Sequence, residues 1–274
     1  MAVKKRLQRE TNAMTKASAT ARHRIALVTG ATSGIGAATA QKLVESGCRV
    51  ILAGRRQDRL EALRSRIGDA AYILPLDVRD ADAVQNAIAA LPKEWHAIDL
   101  VVNSAGLAVG SAAVPKARLQ DWRTIVETNI NGMLNITHTV LPGMIERDFG
   151  DIINIGSIAA NWPYPSGNVY GASKSFVKQF TLNLRADLQG SNIRATCIEP
   201  GTTETEFAAV RIGSQQGAQN FYNHPNLLKA EDVAEIIAFC VLLPRRVNIN
   251  TLEVMPISQS FGFPPFADDM QVLD

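Results

Sequence analysis

Long apolar runs are missing from this chain of 274 residues. The longest, residues 236–243, is far short of the roughly 18 needed to span a bilayer, so no membrane span and no membrane partner are expected. Cysteine is scarce as well. Cys48, Cys197 and Cys240 are odd in number, widely spaced and without a CxxC pair. Neither a disulfide framework nor a zinc or other metal site is expected from them. Lone thiols suit a reducing compartment, and the cytoplasm is the expected location. Neither sign of charge is in surplus: 28 Lys+Arg face 26 Asp+Glu for a net +2, which gives no case for nucleic acid as a partner. An apolar share of 46% with so little net charge excludes disorder over most of the chain.

The balance hides an uneven distribution. Residues 1–24 hold seven of the basic residues and one acid, so the remainder carries −4. The segment 1–23 has no apolar stretch of a secretory signal. It reads as a basic, disordered extension or as residues ahead of a start at Met14, with an organellar presequence as the alternative.

From Arg24 onward, β-rich runs alternate with helical segments. IALVT (25–29), RVILA (49–53), AYILPL (71–76), DLVVN (99–103), DIINIG (151–156) and IRATCI (193–198) read as strands, with a last one at 251–255. Helices are expected at 35–46, 56–67, 80–91, 119–147, 167–189 and 231–243. Runs that are apolar throughout belong to strands buried on both faces, as in a parallel sheet covered by helices. The expectation is a single α/β domain over 24–274: a Rossmann-type, doubly wound parallel sheet of about seven strands.

Directly after the first strand stands T-G-A-T-S-G-I-G (29–36), with Gly30, Thr32, Ser33, Gly34, Ile35 and Gly36. Glycines there let the backbone turn tightly and approach a pyrophosphate, whose charge meets the amides opening the next helix. A strand before and a helix after are the context that a dinucleotide-binding turn requires. The second strand leads into Gly54-Arg55-Arg56. An acid commonly stands near that strand end to hold the ribose hydroxyls of NAD, whereas a 2′-phosphate is met by arginine. Two cations at a helix N-terminus are also unfavourable unless an anion compensates them. NADP is therefore the expected cofactor, with Arg55 and Arg56 on its phosphate and Asp77 and Val78 at the adenine edge.

Tyr170 and Lys174 are four apart in a helical segment and share a face. A phenol near pKa 10 is a poor base at neutral pH, and a neighbouring ammonium would lower that value. Ser157 follows the fifth strand, at the sheet end where ligands of open α/β sheets gather. Asn129 lies among apolar neighbours, where a buried amide needs partners.

Together, TGATSGIG, NSAG (103–106), Asn129, Ser157, YGASK (170–174) and EPGTTET (199–205) resemble the short-chain dehydrogenase/reductase family, over residues 24 to about 262. AGRRQDRL (53–60), LPKEWHAID (91–99), LPGMIER (141–147), INIGS (153–157), NWPYPSGNVYGASKSFVKQF (161–180) and VNINTLEVMPISQSF (247–261) are similar to the NADP-dependent 3-hydroxy acid dehydrogenases within it. That group includes serine and allo-threonine dehydrogenases and malonic semialdehyde reductases. The resemblance implies Tyr170 as general acid/base, Lys174 on the nicotinamide ribose, Ser157 on the substrate oxygen and Asn129 on a water that relays protons to Lys174. It also implies Asn103, Ala105 and Gly106 beside the adenosine, and Pro200, Gly201, Thr202, Thr203 and Thr205 at the nicotinamide end. A homotetramer, built through the long helices and residues 247–261, is expected on the same ground.

Two departures stand out. The family's second asparagine is Ser104, which is expected to keep one hydrogen bond. The segment after Pro200-Gly201 is one residue shorter than in the nearest group, and it leads into an expected lid at 206–226. The implied substrate is a small 3-hydroxy acid, with Arg211 or Arg185 to receive its carboxylate and Trp162 and Tyr164 as an apolar wall. The alternatives are a broader ketone or aldehyde reductase and a non-enzymatic NADP sensor.

Overall fold

The computed structural model describes residues 24–261, so the expected basic extension and residues 262–274 lie outside the described residues. The strands are Ile25–Thr29 (β1), Arg49–Gly54 (β2), Ala71–Pro75 (β3), Ile98–Asn103 (β4), Gly150–Ile155 (β5), Ile193–Pro200 (β6), Thr203–Glu204 (β7), Leu228–Lys229 (β8) and Thr251–Val254 (β9). Seven of them form one sheet in the order β3-β2-β1-β4-β5-β6-β9, with every neighbouring pair parallel. The helices are Gly34–Glu45 (α1), Gln57–Ile67 (α2), Ala81–Ala89 (α3), Leu119–Val126 (α4), Gly132–Glu146 (α5), Asn168–Asp187 (α6), Phe207–Ile212 (α7), Gln215–Phe221 (α8) and Ala230–Leu242 (α9).

Continuous apolarity has the expected consequence. Ala26 and Val28 of β1 join one core cluster, with Leu43 of α1 and Val233 and Ile237 of α9. Ile25 and Leu27 join a second, with Ile136 and Val140 of α5 and Leu184 of α6. Each fully buried Leu or Ile contributes about 1.5–3 kcal/mol, and both faces of the sheet supply them. Gly47, after α1, has a φ of +94°, which ends that helix at low cost only with glycine.

The helix expected at 119–147 runs without a break through α4 and α5, with right-handed helical dihedrals at Val126, Glu127, Asn131 and Gly132. Between α4 and α5 the chain widens into a π-type turn at Glu127–Asn131, a rare feature that an apolar period does not reveal. The expected lid consists of α7 and α8, clasped at its base where β7 pairs with β8. At the opposite end of the sheet, buried Asp151 binds Arg194 at 2.6 Å, Arg245 at 2.8 Å and Arg24 at 2.5 Å. This cluster ties β5 and β6 together far from the lid, and removing the carboxylate would leave uncompensated buried charge. Among the described residues no helix is long and apolar enough to cross a membrane.

Candidate active site

Strand order reverses direction between β1 and β4, and a cleft of about 390 Å³ opens there beyond the carboxyl ends of the strands. Each central strand delivers a wall residue: Gly30, Gly54, Leu76, Ser104, Gly156 and Pro200.

The phosphate turn is held by close backbone packing. Gly30 has φ +68°, and a Cβ there would stand 2.9 Å from the Ala105 nitrogen. A Cβ on Gly36 would stand 2.4 Å from the Gly30 oxygen, which presses the start of α1 onto the turn. The Ser104 and Ala105 amides both donate to Thr29 Oγ1, at 3.1 and 3.0 Å. Ser104, whose amide makes this bond, also lines the cleft. Ser33 caps α1 without a side-chain bond, and no acid stands in the first turn of that helix. The helix opening is thus left to an anion.

Arg55 and Arg56 both line the cleft but differ in use. Arg56 donates to Thr32 Oγ1 at 2.7 Å and Ser33 Oγ at 2.8 Å, and it pairs with Glu206 at 3.0 Å. The compensating anion expected on charge grounds is therefore also present within the chain itself. Arg55 is exposed and makes no hydrogen bond or ion pair among the described residues. Asp77 is gripped by Arg79, whose hydrogen bonds hold its carboxyl below the usual range; Val78 lies beside it on the wall.

At the other end, Ser157, Tyr170 and Lys174 meet on one wall. Ser157 Oγ accepts from the Ala159 amide at 3.1 Å and stands close enough to the Tyr170 phenol to draw its pKa down. Lys174 Nζ donates to the Ile155 carbonyl at 2.8 Å and lies 5.8 Å from the Tyr170 ring. The electrostatics depart from expectation. Burial, with Tyr164 nearby, raises the Tyr170 phenol despite Ser157, and burial lowers Lys174 from 10.5 to about 8. Burial is the largest cause of both shifts, and Lys174 donates to a backbone carbonyl. The protein alone does not produce a depressed phenol.

Asn129 sits on the π-type turn just behind the wall. Its amide donates to the Leu107 carbonyl at 2.9 Å and Ser173 Oγ at 3.0 Å, and its oxygen accepts from the Leu107 amide. A Cβ on Gly106 would lie 3.4 Å from both Asn129 Oδ1 and Lys174 Nζ, so this glycine leaves the two groups a shared gap. Asn103 is not brought to the cleft. Its amide turns into the core, to Thr137 Oγ1 at 3.1 Å and Asn154 Oδ1 at 2.8 Å. Gly36 also stands behind the wall, whereas Thr32, Ser33, Gly34, Ile35, Ala105, Gly106, Gly201, Thr202, Thr203 and Thr205 line it.

Residues of α7 and α8 line the cleft beside Tyr170. Phe207 packs its ring 5.3 Å from that of Tyr170, and Phe221 and Tyr222 complete the wall. Arg211 reaches the same space and donates to Tyr164 Oη at 3.0 Å and to the Ser166 carbonyl at 3.2 Å. Tyr164 is therefore a polar anchor as well as a wall. Arg185 is elsewhere: it lies three turns beyond Lys174 on α6 and does not line the cleft. Trp162 borders the cleft and donates to Glu253 at 3.3 Å. Sequence reasoning missed Gln259, whose side chain accepts the Thr202 amide at 2.8 Å from the far end of the chain. No local pattern marks that long-range bond.

The short chain dehydrogenase family profile matches residues 24–216. The NADP-dependent 3-hydroxy acid dehydrogenase YdfG of Escherichia coli is 50% identical over 240 residues, which is 87% of this chain and 97% of that protein. The serine 3-dehydrogenase of Rhizobium radiobacter is 49% identical over 237 residues, covering 86% and 95%. Among solved structures, the closed form of a serine dehydrogenase complexed with NADP+ superposes with a TM-score of 0.86 at 49% identity, covering 88% of this chain and 98% of that one.

Proposed function

The chain belongs to the short-chain dehydrogenase family, and from that premise we propose that it is an NADP-dependent oxidoreductase acting on a small 3-hydroxy acid, such as serine, allo-threonine or 3-hydroxypropionate. The observation that carries this reading is one cleft with a phosphate turn and an uncommitted Arg55 at one end, and Ser157, Tyr170, Lys174 and Arg211 at the other. The names of the relatives, dehydrogenases of 3-hydroxy acids and of serine, support it.

The cleft suits NADP(H). Gly30, Gly34 and Gly36 keep side chains off the turn, the opening of α1 is free of acids, and Arg55 provides a planar donor for a phosphate. Bound NADP(H) supplies the hydride acceptor or donor. Ser157 orients the substrate oxygen, and Tyr170 exchanges a proton with it. A phenol is protonated at neutral pH at its ordinary value and all the more when that value is raised, so Tyr170 is set as the proton donor in carbonyl reduction; oxidation needs its phenolate. Lys174 and Asn129 flank the gap at Gly106 through which a proton is passed on by water. Arg211, steadied by Tyr164, receives the substrate carboxylate. Turnover of 3-oxo acids in preference to matched neutral ketones under NADPH tests the substrate class. A preference for neutral ketones would favour the broader reductase.

The enzyme is assigned to the cytoplasm and to a homotetramer. Apolar side chains left exposed on α6 and α9, Phe176 and Phe239, and Ile257 after β9 support the assembly.

A further inference from the structure

Glu206 stands one residue before the lid helix α7, and its carboxylate is divided between Arg56, the N-cap of α2, and Arg59 of its first turn. Oε2 lies 3.0 Å from Arg56 Nη1 and Oε1 2.5 Å from Arg59 Nη1. Arg56 carries the link onward to Thr32 and Ser33 of the phosphate turn. The neighbours of Glu206 are equally committed. A Cβ on Gly34 would stand 3.1 Å from Thr205 Cγ2, so the lid root is packed on the turn, and Phe207 lies on Tyr170. Three consecutive residues thus touch the phosphate turn, α2 and the catalytic phenol. Partial burial pushes the Glu206 carboxyl up, but the hydrogen bonds from Arg59 and Arg56 outweigh it and hold the group below its ordinary range.

We propose that Glu206 is a positioning residue: a latch that ties the lid to α2 across the cleft mouth, slows departure of the nicotinamide cofactor and seats Phe207 against Tyr170. The two adjacent arginines then divide their work, with Arg55 facing the ligand phosphate and Arg56 bracing the lid. The cofactor half of this inference rests on the NADP reading above; the lid half does not.

Two measurements on Glu206→Gln test it. In the cofactor-free full chain, hydrogen exchange of amides 207–221 should be several-fold faster, with those of α1 and α5 unchanged. In stopped flow, NADPH should dissociate about three- to tenfold faster, the scale set by a half-exposed pair of ion contacts. Arg59 does not line the cleft, so Arg59→Gln, which removes one of the two ion contacts and leaves Arg56 on Glu206, should raise both rates by less than Glu206→Gln does; no rise in either would count against the divided carboxylate. Unchanged exchange together with an unchanged off-rate overturns the latch. Tighter NADPH binding with NADH binding unaltered would make Glu206 a competitor for the phosphate, and would overturn it too. A chain that binds no NADPH refutes the cofactor reading, while hydrogen exchange still decides the latch.

Discussion

Lys174 is held in the cleft at a cost to stability that can be measured. Its side chain is 7% exposed, and burial brings its pKa down from 10.5 to about 8. A folded-state value below the unfolded one means that the fold binds this proton less well than the unfolded chain does. The full cost is present below about pH 8 and fades as pH rises to about 10.5, where the unfolded lysine also loses its proton. At about 1.36 kcal/mol per tenfold change in proton affinity, lowering the value from 10.5 to about 8 costs about 3 kcal/mol at neutral pH. Lys174→Met removes the charge and keeps much of the volume. It also leaves the Ile155 carbonyl without its donor at 2.8 Å, which takes back about 1 kcal/mol. The cofactor-free variant should be inactive yet about 2 kcal/mol more stable than wild type at neutral pH, an advantage lost by about pH 10. Urea unfolding of both proteins in matched buffers measures this. Taking the difference cancels the buried thiol of Cys240, pushed up to about 11; Cys197, pushed up to about 12, feels the Lys174 charge and stays protonated in both folded proteins up to about pH 10, where the comparison ends. A variant less stable than wild type at neutral pH, or an advantage that does not change with pH, would refute the reasoning.

Two further substitutions separate the ends of the cleft. Arg55→Ala should weaken NADP binding by about 10- to 100-fold, the worth of one charge-assisted phosphate contact, and leave NAD binding unchanged in a fluorescence titration; equal losses for both cofactors would contradict the phosphate assignment. Tyr164→Phe removes the acceptor of the 3.0 Å bond from Arg211 and should raise KM for 3-hydroxy acids about 5- to 10-fold while sparing neutral alcohols. A parallel rise for both would reduce Tyr164 to a wall.

The sheet was legible because its strands are apolar on both faces, and the order of strand and helix leaves little choice of topology. The phosphate turn and the Ser157, Tyr170, Lys174 group were legible for a different reason: each is a short local pattern at a strand end or on one helix face. What stayed hidden is non-local. The π-type turn under Asn129 lies inside a continuous helix, and no residue type in Glu127–Asn131 marks it. The inward turn of Asn103, the bond from Thr202 to Gln259 and the divided carboxylate of Glu206 depend on segments distant in sequence. The electrostatics of the site were not legible either: burial raises the Tyr170 phenol and lowers the Lys174 ammonium in the cofactor-free chain, and enclosure is not written in a four-residue spacing.

The most direct test of the proposed chemistry is the initial rate at the nicotinamide absorbance band, with NADP and a 3-hydroxy acid, for wild type and Tyr170→Phe side by side. Wild type should reduce NADP with at least one of serine, allo-threonine or 3-hydroxypropionate, and the variant should lose about 100-fold or more in rate while keeping its circular dichroism spectrum. Full rate in Tyr170→Phe, or no turnover of any 3-hydroxy acid by a wild-type chain that binds NADPH, would contradict it.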